Sequence, residues 1–401
     1  MINNGILSLP ENYIFEKLKR EAAKFREDNP NCELFDLSIG DVCGPLPDCA
    51  ASALIAACAE MKNKNTFRGY GPAEGFGFLR EALCGYYCRR GILLNSHEFF
   101  ITDGSKPAIS DILSLFCGST SVIFEPTYPV YSEASLLRGF DVLICGFKKN
   151  TPRIPENVRF GSTKFGDRSL IFLCSPNNPD GYAYSLSELK SWVDFAVKSG
   201  SIILFDAAYE RFISSRDVPH SVFEVDGGKN CAIEFGSFSK FAGFTGLRCG
   251  WCVVPEDLKS DNYSLNVLYR RVLSTISNGV SYPVQRAASA VLTESGLSEC
   301  TSLVNFYRKN AQLLRQAFEK ISLEVTSGGN SPYLCVKTPN GIKSDIFVSK
   351  LLRHAHTLTS PSSGFGSFDD DFIRVSCLCD RETAEKAAES ISNSADIPFD
   401  N

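Results

Sequence analysis

The chain lacks several things that would define other classes of protein. None of its 401 residues falls in an apolar run approaching the ~20 positions that a bilayer-crossing helix needs, so no membrane span is expected. It has no basic block. The 41 Lys and Arg are scattered among 46 Asp and Glu, and the net charge is −5, which leaves no footprint for nucleic acid and points to a small-molecule partner. Met1 to Pro10 carries no Lys or Arg ahead of an apolar stretch, so no secretory signal is read there and a cytoplasmic protein is expected. Internal repeats and low-complexity linkers are also missing. Cysteine, by contrast, is plentiful, at 16 residues. These sit in apolar segments such as Ile171 to Cys174 and Ala57-Cys58-Ala59, where most are expected as small buried hydrophobes and not as disulfides.

The length is too great for one small core and suits two unequal domains. From about residue 98 to 255, short apolar runs alternate with helical stretches. The runs are Phe99 to Thr102, Ser121 to Glu125, Asp141 to Cys145, Leu170 to Cys174, Ile202 to Asp206, Ala232 to Phe235 and Arg248 to Val254. Their β-branched and aromatic content predicts strands, and spacing such as that of Leu186 to Lys198 predicts helices between them. The expected fold is therefore α/β, with a mostly parallel sheet covered by helices and ligands at the carboxyl ends of the strands. Beyond residue 281 the pattern changes. Long helices are predicted over Pro283 to Glu294 and Leu297 to Ile321, followed by strands at Tyr333 to Lys337 and Phe372 to Ser376. The division expected is an N-terminal arm that contributes to the small domain (1–45), a large domain (46–280) and a small α+β domain (281–401).

Four segments at strand ends carry chemistry. In Ser237-Phe238-Ser239-Lys240, a Lys follows two hydroxyls just after a buried strand, and Arg248 comes eight residues later. A Lys so placed can form a Schiff base with an aldehyde, while the hydroxyls and Arg bind a phosphate. Taken alone, Ser-x-Ser-Lys also reads as a solvated Lys on a Gly-rich loop. Phe205-Asp206-Ala207-Ala208-Tyr209 ends an apolar strand in a carboxylate, which needs a cation such as a protonated pyridine nitrogen or else serves as a helix N-cap. Cys174-Ser175-Pro176-Asn177-Asn178-Pro179 is a turn whose Asn178 can donate to a ring oxygen, or simply a turn. Thr102-Asp103-Gly104-Ser105-Lys106 opens a helix, where free N–H groups attract phosphate or a plain cap sits.

The order Asp-Gly-Ser-Lys, Tyr-Pro-Val-Tyr, Asn-Asn-Pro-x-Gly, Asp-x-x-Tyr, Ser-x-Ser-Lys with a later Arg, and Arg-Val-Ser near the end resembles the fold-type-I aminotransferases, which use pyridoxal 5'-phosphate. Within that group the chain looks most like the LL-diaminopimelate aminotransferase family, through Glu11 to Phe15, Asp36 to Asp41, Gly69-Tyr70-Gly71, Glu125 to Tyr131 and Asn278-Gly279. The resemblance implies Lys240 as the Schiff-base lysine and Asp206 as the partner of the pyridinium. Asn178 and Tyr209 would hold the phenolic oxygen, and Tyr128 would stack on the ring. Ser105, Lys106, Ser237, Ser239 and Arg248 would surround the phosphate, with Tyr70 reaching it from a second subunit. Arg374 would clamp the substrate α-carboxylate, and Tyr13, Gly40, Lys106, Tyr128, Asn178 and Asn278 would line the remainder. A homodimer with shared sites, acting on amino and oxo acids and without a metal, is thereby implied. So is transamination between LL-2,6-diaminopimelate and 2-oxoglutarate, which in the biosynthetic direction aminates tetrahydrodipicolinate with glutamate.

Two departures from that pattern stand out. Asp180 replaces the usual Thr after Asn-Asn-Pro, and Pro72-Ala73-Glu74-Gly75 displaces an expected acid by one position. The rival readings are another aminotransferase or a lyase using the same Lys240, and a silent regulator that keeps the fold. Cys249-Gly-Trp-Cys252 has redox-pair spacing but overlaps a strand. His354-Ala-His356 lacks further ligands nearby, and Asp369-Asp370-Asp371 reads as a solvated turn.

Overall fold

The structure is a computed structural model, and it describes residues 2–9, 14–148, 151–160, 168–327, 329–366 and 370–394, apart from the side chains at 14, 15, 159, 160 and 340. Its centre is an eight-stranded sheet. The strands lie side by side in the order Phe99–Thr102, Gly250–Val253, Ala232–Ser237, Ile202–Asp206, Leu170–Cys174, Thr120–Phe124, Asp141–Phe147, Val158–Phe160. The five from Ala232–Ser237 to Asp141–Phe147 run parallel, the edge strand Phe99–Thr102 shares their direction, and Gly250–Val253 and Val158–Phe160 run opposite to them. All five residues of Leu170–Cys174 and of Ile202–Asp206 are buried, which explains why both read as unbroken apolar runs and not as alternation. The two faces still divide the side chains by parity. Ile171, Leu173, Ile203 and Phe205 enter one core, while Leu170, Phe172, Ile202 and Leu204 enter the core on the other face.

Helix ends follow local chemistry. Leu186–Ser199 starts at a capping box in which Ser185 and Glu188 bond each other's backbone N–H, and it stops at Gly200 in the left-handed region at φ 68°. Thr293 caps Glu294–Lys320 by accepting from the Gly296 N–H at 3.1 Å.

A third core lies outside the main sheet. It gathers Leu18, Ala22, Phe35 and Leu37 from the N-terminal region with Leu314, Phe318 and Ile373. Its sheet is the antiparallel trio Tyr333–Lys337, Phe372–Ser376 and Ser360–Pro361. The helix Ile14–Asp28 thus packs with the C-terminal strands, whereas Asn3 bonds the Leu137 carbonyl on the large body at 2.9 Å. Packing changes over inside the long helix Glu294–Lys320. Cys300, Val304 and Tyr307 belong to the large core, and Ala311, Leu314 and Ala317 to the small one. Ala287, Ala288 and Val291 also sit in the large core, so the sequence expectation of a boundary at 281 falls ahead of this changeover.

Cys249 and Cys252 are fully buried, and burial pushes both thiols up. Asp370 differs from the solvated turn expected of it. Its carboxylate accepts from the hydroxyls of Ser344 and Ser362 and from the Ser344 N–H, fastening the start of the helix Ser344–Ala355; Asp369 lies outside the described residues. Among the described residues, no helix is long and apolar enough to cross a membrane, and no group of His, Cys, Asp and Glu is arranged to hold a metal ion.

Candidate active site

The carboxyl ends of the parallel strands open into a cavity of about 400 Å³, closed on its far side by the small-domain residues Tyr333 and Arg374 and by Gly40. Lys240 lies in it, three residues past the strand Ala232–Ser237. Its ammonium donates to the Gly40 carbonyl. Burial lowers the Lys240 pKa to about 8; the Asp41 charge opposes this, and Arg374 and Arg248 add to it. At that value roughly a tenth of the amine is neutral at pH 7, and the neutral amine is the nucleophilic form. Gly40 must be a glycine, because a Cβ there would come within 2.2 Å of the Tyr333 hydroxyl.

One end of the cavity suits a phosphate. The hydroxyls of Ser105, Ser237 and Ser239 line it together with Arg248, and the helix Ser105–Leu113 begins there, where backbone N–H groups favour an anion. Arg248 Nη1 donates to the Ser239 hydroxyl at 3.2 Å, and the Ser239 N–H to the Ser237 hydroxyl at 3.1 Å. Gly104 makes room for the guanidinium, since a Cβ at that position would fall 2.3 Å from Arg248 Nη2. Arg248 itself adopts φ 61°, a left-handed conformation that costs a non-glycine residue on the order of 1 kcal/mol.

The floor of the cavity suits a cation. Asp206 ends the strand Ile202–Asp206, is buried, and takes two neutral donors: the Tyr131 hydroxyl at 2.8 Å and the Ala208 N–H at 3.0 Å. Burial raises its pKa above the usual carboxylate range, while those two bonds pull it down. A buried carboxylate with this donor set gains by facing a positive ring nitrogen.

The wall between the two domains is built on Arg374, in the strand Phe372–Ser376 and 1% exposed. Its guanidinium donates to Asn178 Oδ1 at 2.9 Å, the Ser38 carbonyl at 2.5 Å and the Ser360 hydroxyl at 3.2 Å. Its guanidinium carbon lies 4.5 Å from the centre of the Tyr333 ring and 4.7 Å from that of Phe365, within cation–π range of both. The Tyr209 and Tyr333 hydroxyls bond at 2.8 Å, and burial holds both phenols protonated, above the ordinary range.

The structure therefore brings together Lys240, Asp206, Tyr209, Asn178, Tyr128, Ser105, Lys106, Ser237, Ser239, Arg248, Gly40 and Arg374. Tyr70 and Asn278 do not join them. They line a separate, shallow concavity together, with Tyr70 89% exposed. Tyr13 lies outside the described residues. The lining residues that escaped the sequence reading of roles include Tyr131, the donor to Asp206; Tyr333, the partner of Tyr209; and Asp41, whose charge reaches Lys240. Tyr131 and Asp41 stand inside the quoted segments Glu125 to Tyr131 and Asp36 to Asp41, so the signal was present although the role was not.

Comparison with known proteins identifies the family. The family model "Aminotransferase class I and II" matches residues 33–391. LL-diaminopimelate aminotransferase of Methanosphaera stadtmanae is 39% identical over 403 residues, covering 98% of both chains. The enzyme of that name from Bacteroides thetaiotaomicron is also 39% identical, covering 98% of this chain and 99% of its own. The solved L,L-diaminopimelate aminotransferase from Chlamydomonas reinhardtii superposes with a TM-score of 0.90 at 35% identity, covering 98% of each chain. The chain belongs to the class I and II aminotransferases.

Proposed function

We propose that the protein transfers an amino group between LL-2,6-diaminopimelate and 2-oxoglutarate, with pyridoxal 5'-phosphate held on Lys240, and that it serves lysine and diaminopimelate biosynthesis. The observation that carries the reading is Lys240 itself: half-buried, partly neutral near pH 7, and placed between a phosphate-suited end, a cation-suited floor and an Arg374 clamp. Similarity to relatives with that name along almost the whole chain supports the choice of substrate.

Ser105, Lys106, Ser237, Ser239 and Arg248 would hold the cofactor phosphate, Tyr128 one face of its ring, and Asn178 with Tyr209 its phenolic oxygen. Bound there, the cofactor supplies an electron sink for the charge that develops at the substrate Cα. Asp206 would keep the ring nitrogen protonated. Arg374 would take the substrate α-carboxylate in a planar fork, orienting the Cα–H bond toward Lys240. The Lys240 amine, once freed, would then remove the Cα proton and return it on the other side of the transfer.

This chemistry would lie at the junction of a large and a smaller domain. A homodimer in the cytoplasm is part of the proposal. The exposed Tyr70 and its neighbour Asn278 would complete the partner subunit's site, and Tyr13 and Gly40 would line the substrate side.

One experiment tests the function. Borohydride reduction of the cofactor-loaded protein followed by peptide mapping should place the pyridoxyl group on Lys240, and a panel of amino donors with 2-oxoglutarate should then favour LL-2,6-diaminopimelate by roughly 100-fold or more. Labelling of Lys106 instead would overturn the lysine assignment. Equal turnover of aspartate or an aromatic amino acid would overturn the substrate.

A further inference from the structure

Asp180 stands outside the cavity lining, and its surroundings give it a task. Its Oδ2 pairs with Nη2 of Arg153, and the two side chains are only 16% and 20% exposed. Its Oδ1 accepts from Asn177 Nδ2 at 2.8 Å and from the Tyr182 N–H at 3.1 Å. Arg153 is anchored in turn. Its guanidinium lies 3.9 Å from the centre of the Tyr182 ring, its N–H donates to Glu188 at 2.7 Å, and its carbonyl accepts from the Trp192 indole at 2.7 Å. The pair thus ties the Asn178 turn to the helix Leu186–Ser199, an element of the large core.

From Asp180 the bonds run on toward the site. Asn177 also donates to the Pro126 carbonyl at 2.9 Å and accepts from the Thr127 hydroxyl at 3.0 Å, which joins this turn to the loop that presents Tyr128. The adjoining Asn178 accepts from Arg374. The Pro179 carbonyl accepts from the Cys335 thiol at 3.4 Å, so the small-domain strand next to Arg374's own strand is bonded to the same four residues. A Thr at position 180 offers one hydroxyl, with no charge to hold a guanidinium and no second oxygen for Asn177 and Tyr182.

We propose that Asp180 and Arg153 form a positioning ion pair that sets the Asn178 turn and, through it, the plane of Arg374 for the carboxylates of both substrates. The proposal rests on the aminotransferase reading above. Because both half-reactions present an α-carboxylate to Arg374, loss of the pair acts on the binding of donor and acceptor alike and leaves the proton-transfer groups Lys240 and Asp206 in place.

The test uses the cofactor-loaded enzyme with Asp180→Asn, Asp180→Thr, Arg153→Met and the double variant Arg153→Met/Asp180→Asn. Expected is a KM raised roughly 10- to 100-fold for the amino donor and for the oxo acid, with kcat within about threefold of the parent. Affinity for a 2-methyl amino acid, which binds but has no Cα proton to lose, should fall by the same factor when titrated by the absorbance of the bound cofactor. The double variant should be no worse than either single, because each already removes the one interaction. A lowered melting temperature with unchanged KM and unchanged 2-methyl amino acid affinity overturns the positioning role, as does additivity of the two singles. Where Asp180→Thr fails to fold, Asp180→Asn carries the test, since it keeps an acceptor for the Tyr182 N–H. Borohydride labelling separates the two levels. A parent protein without label at Lys240 strikes down the functional reading, and label present with KM unmoved strikes down this inference alone.

Discussion

Asp206 and Glu210 lie four residues apart, both buried at 5% exposure, yet their surroundings drive them in opposite directions. Burial raises both. At Asp206 only the Tyr131 hydroxyl and the Ala208 N–H counter it, and the pKa stays above the ordinary value. At Glu210 the Arg90 charge, the His220 ring and the Arg211 charge outweigh burial and bring the pKa to about 2. Arg90 sits 2.8 Å from Glu210 and His220 2.9 Å, with Tyr86 as a further donor. Glu210 is thus a closed structural pair. Asp206 is a carboxylate held by neutral groups at the floor of a cavity, the arrangement that suits it to a cationic ligand. The same residue chemistry on one strand-end turn is locked into an ion-paired network at one position and lines the cavity at the other.

The largest effect expected from breaking this contrast is at the structural member. Glu210→Gln leaves Arg90 mostly buried without its counter-charge and should cost about 3 kcal/mol of unfolding free energy by denaturant titration, with KM and kcat of the folded fraction unchanged. Asp206→Asn should do the reverse. Its effect is expected in the transition state, a loss of roughly 100-fold in the single-turnover rate (about 2.7 kcal/mol), with a much smaller change in stability or in cofactor affinity. An unchanged half-reaction rate in Asp206→Asn, or a slowed one in Glu210→Gln, would erase the distinction.

How much of this could be read in the sequence depends on how local the cause is. The strands Phe99–Thr102, Leu170–Cys174, Ile202–Asp206, Tyr333–Lys337 and Phe372–Ser376 coincide with the expected apolar runs, because burial on both faces writes itself as a continuous stretch. Lys240, Asp206, Asn178 and Ser105 stood out in the sequence for a related reason: each ends an apolar strand or follows its end by a few residues, and α/β ligands sit there. The helix Asp48–Lys62 was harder. It is rich in Ala and Cys, has no side-chain cap, and shows no sharp apolar stripe. Two-residue strands such as Phe35–Asp36 and Thr357–Leu358, paired across more than 300 residues, leave no periodicity at all. Pairings of that reach also hid the bonds that tune the site. Tyr131 meets Asp206 across 75 residues and Tyr209 meets Tyr333 across 124, distances at which spacing carries no information.

Glu234 extends the comparison to a carboxylate with no cation in contact among the described residues. It is bonded by the Tyr87 hydroxyl at 2.6 Å, the Ser221 hydroxyl at 2.6 Å and the Val222 N–H at 2.9 Å. Burial nevertheless raises its pKa to about 7, against the pull of those three donors. The folded value thus lies above the unfolded one of 4.5, so between these pH values the folded state binds the extra proton. Stability contributed by Glu234 is complete below about pH 4.5 and is lost as pH rises toward 7, by at most about 1.4 kcal/mol per pH unit. Glu210 has the opposite sign: its contribution is full above 4.5 and is lost as pH falls toward 2. The difference in unfolding free energy between the parent and Glu234→Gln should therefore shift against the parent by about 2 kcal/mol from pH 5 to pH 7. A pH-independent difference would place Glu234 with the closed pairs.

The smallest effect concerns Tyr131, and it tests whether neutral donors are what keep Asp206 usable. Tyr131 is fully buried, its ring stacks on Phe172 at 5.1 Å, and burial with the nearby Asp206 charge holds its phenol protonated, so it always donates. Tyr131→Phe keeps the ring and that stack and deletes only the hydroxyl. The Ala208 N–H remains on the other carboxylate oxygen, so Asp206 keeps one of its two donors. A hydrogen bond to a charged group contributes about 1.5–3 kcal/mol, part of which the carboxylate recovers by turning toward its remaining donor. The expected loss is therefore roughly 10-fold in the single-turnover rate, about 1.4 kcal/mol, with substrate KM unchanged because Arg374 is untouched. The Asp206 carboxyl should also titrate higher, since the bond removed is one that lowers its pKa, and the acid limb of the pH–rate profile should move upward with it. In Tyr131→Phe/Asp206→Asn the tyrosine change should then add little, because its action runs through the carboxylate charge. A full additive loss in the double variant would mean that Tyr131 acts on the site by another route, and that the neutral donors at Asp206 are only packing.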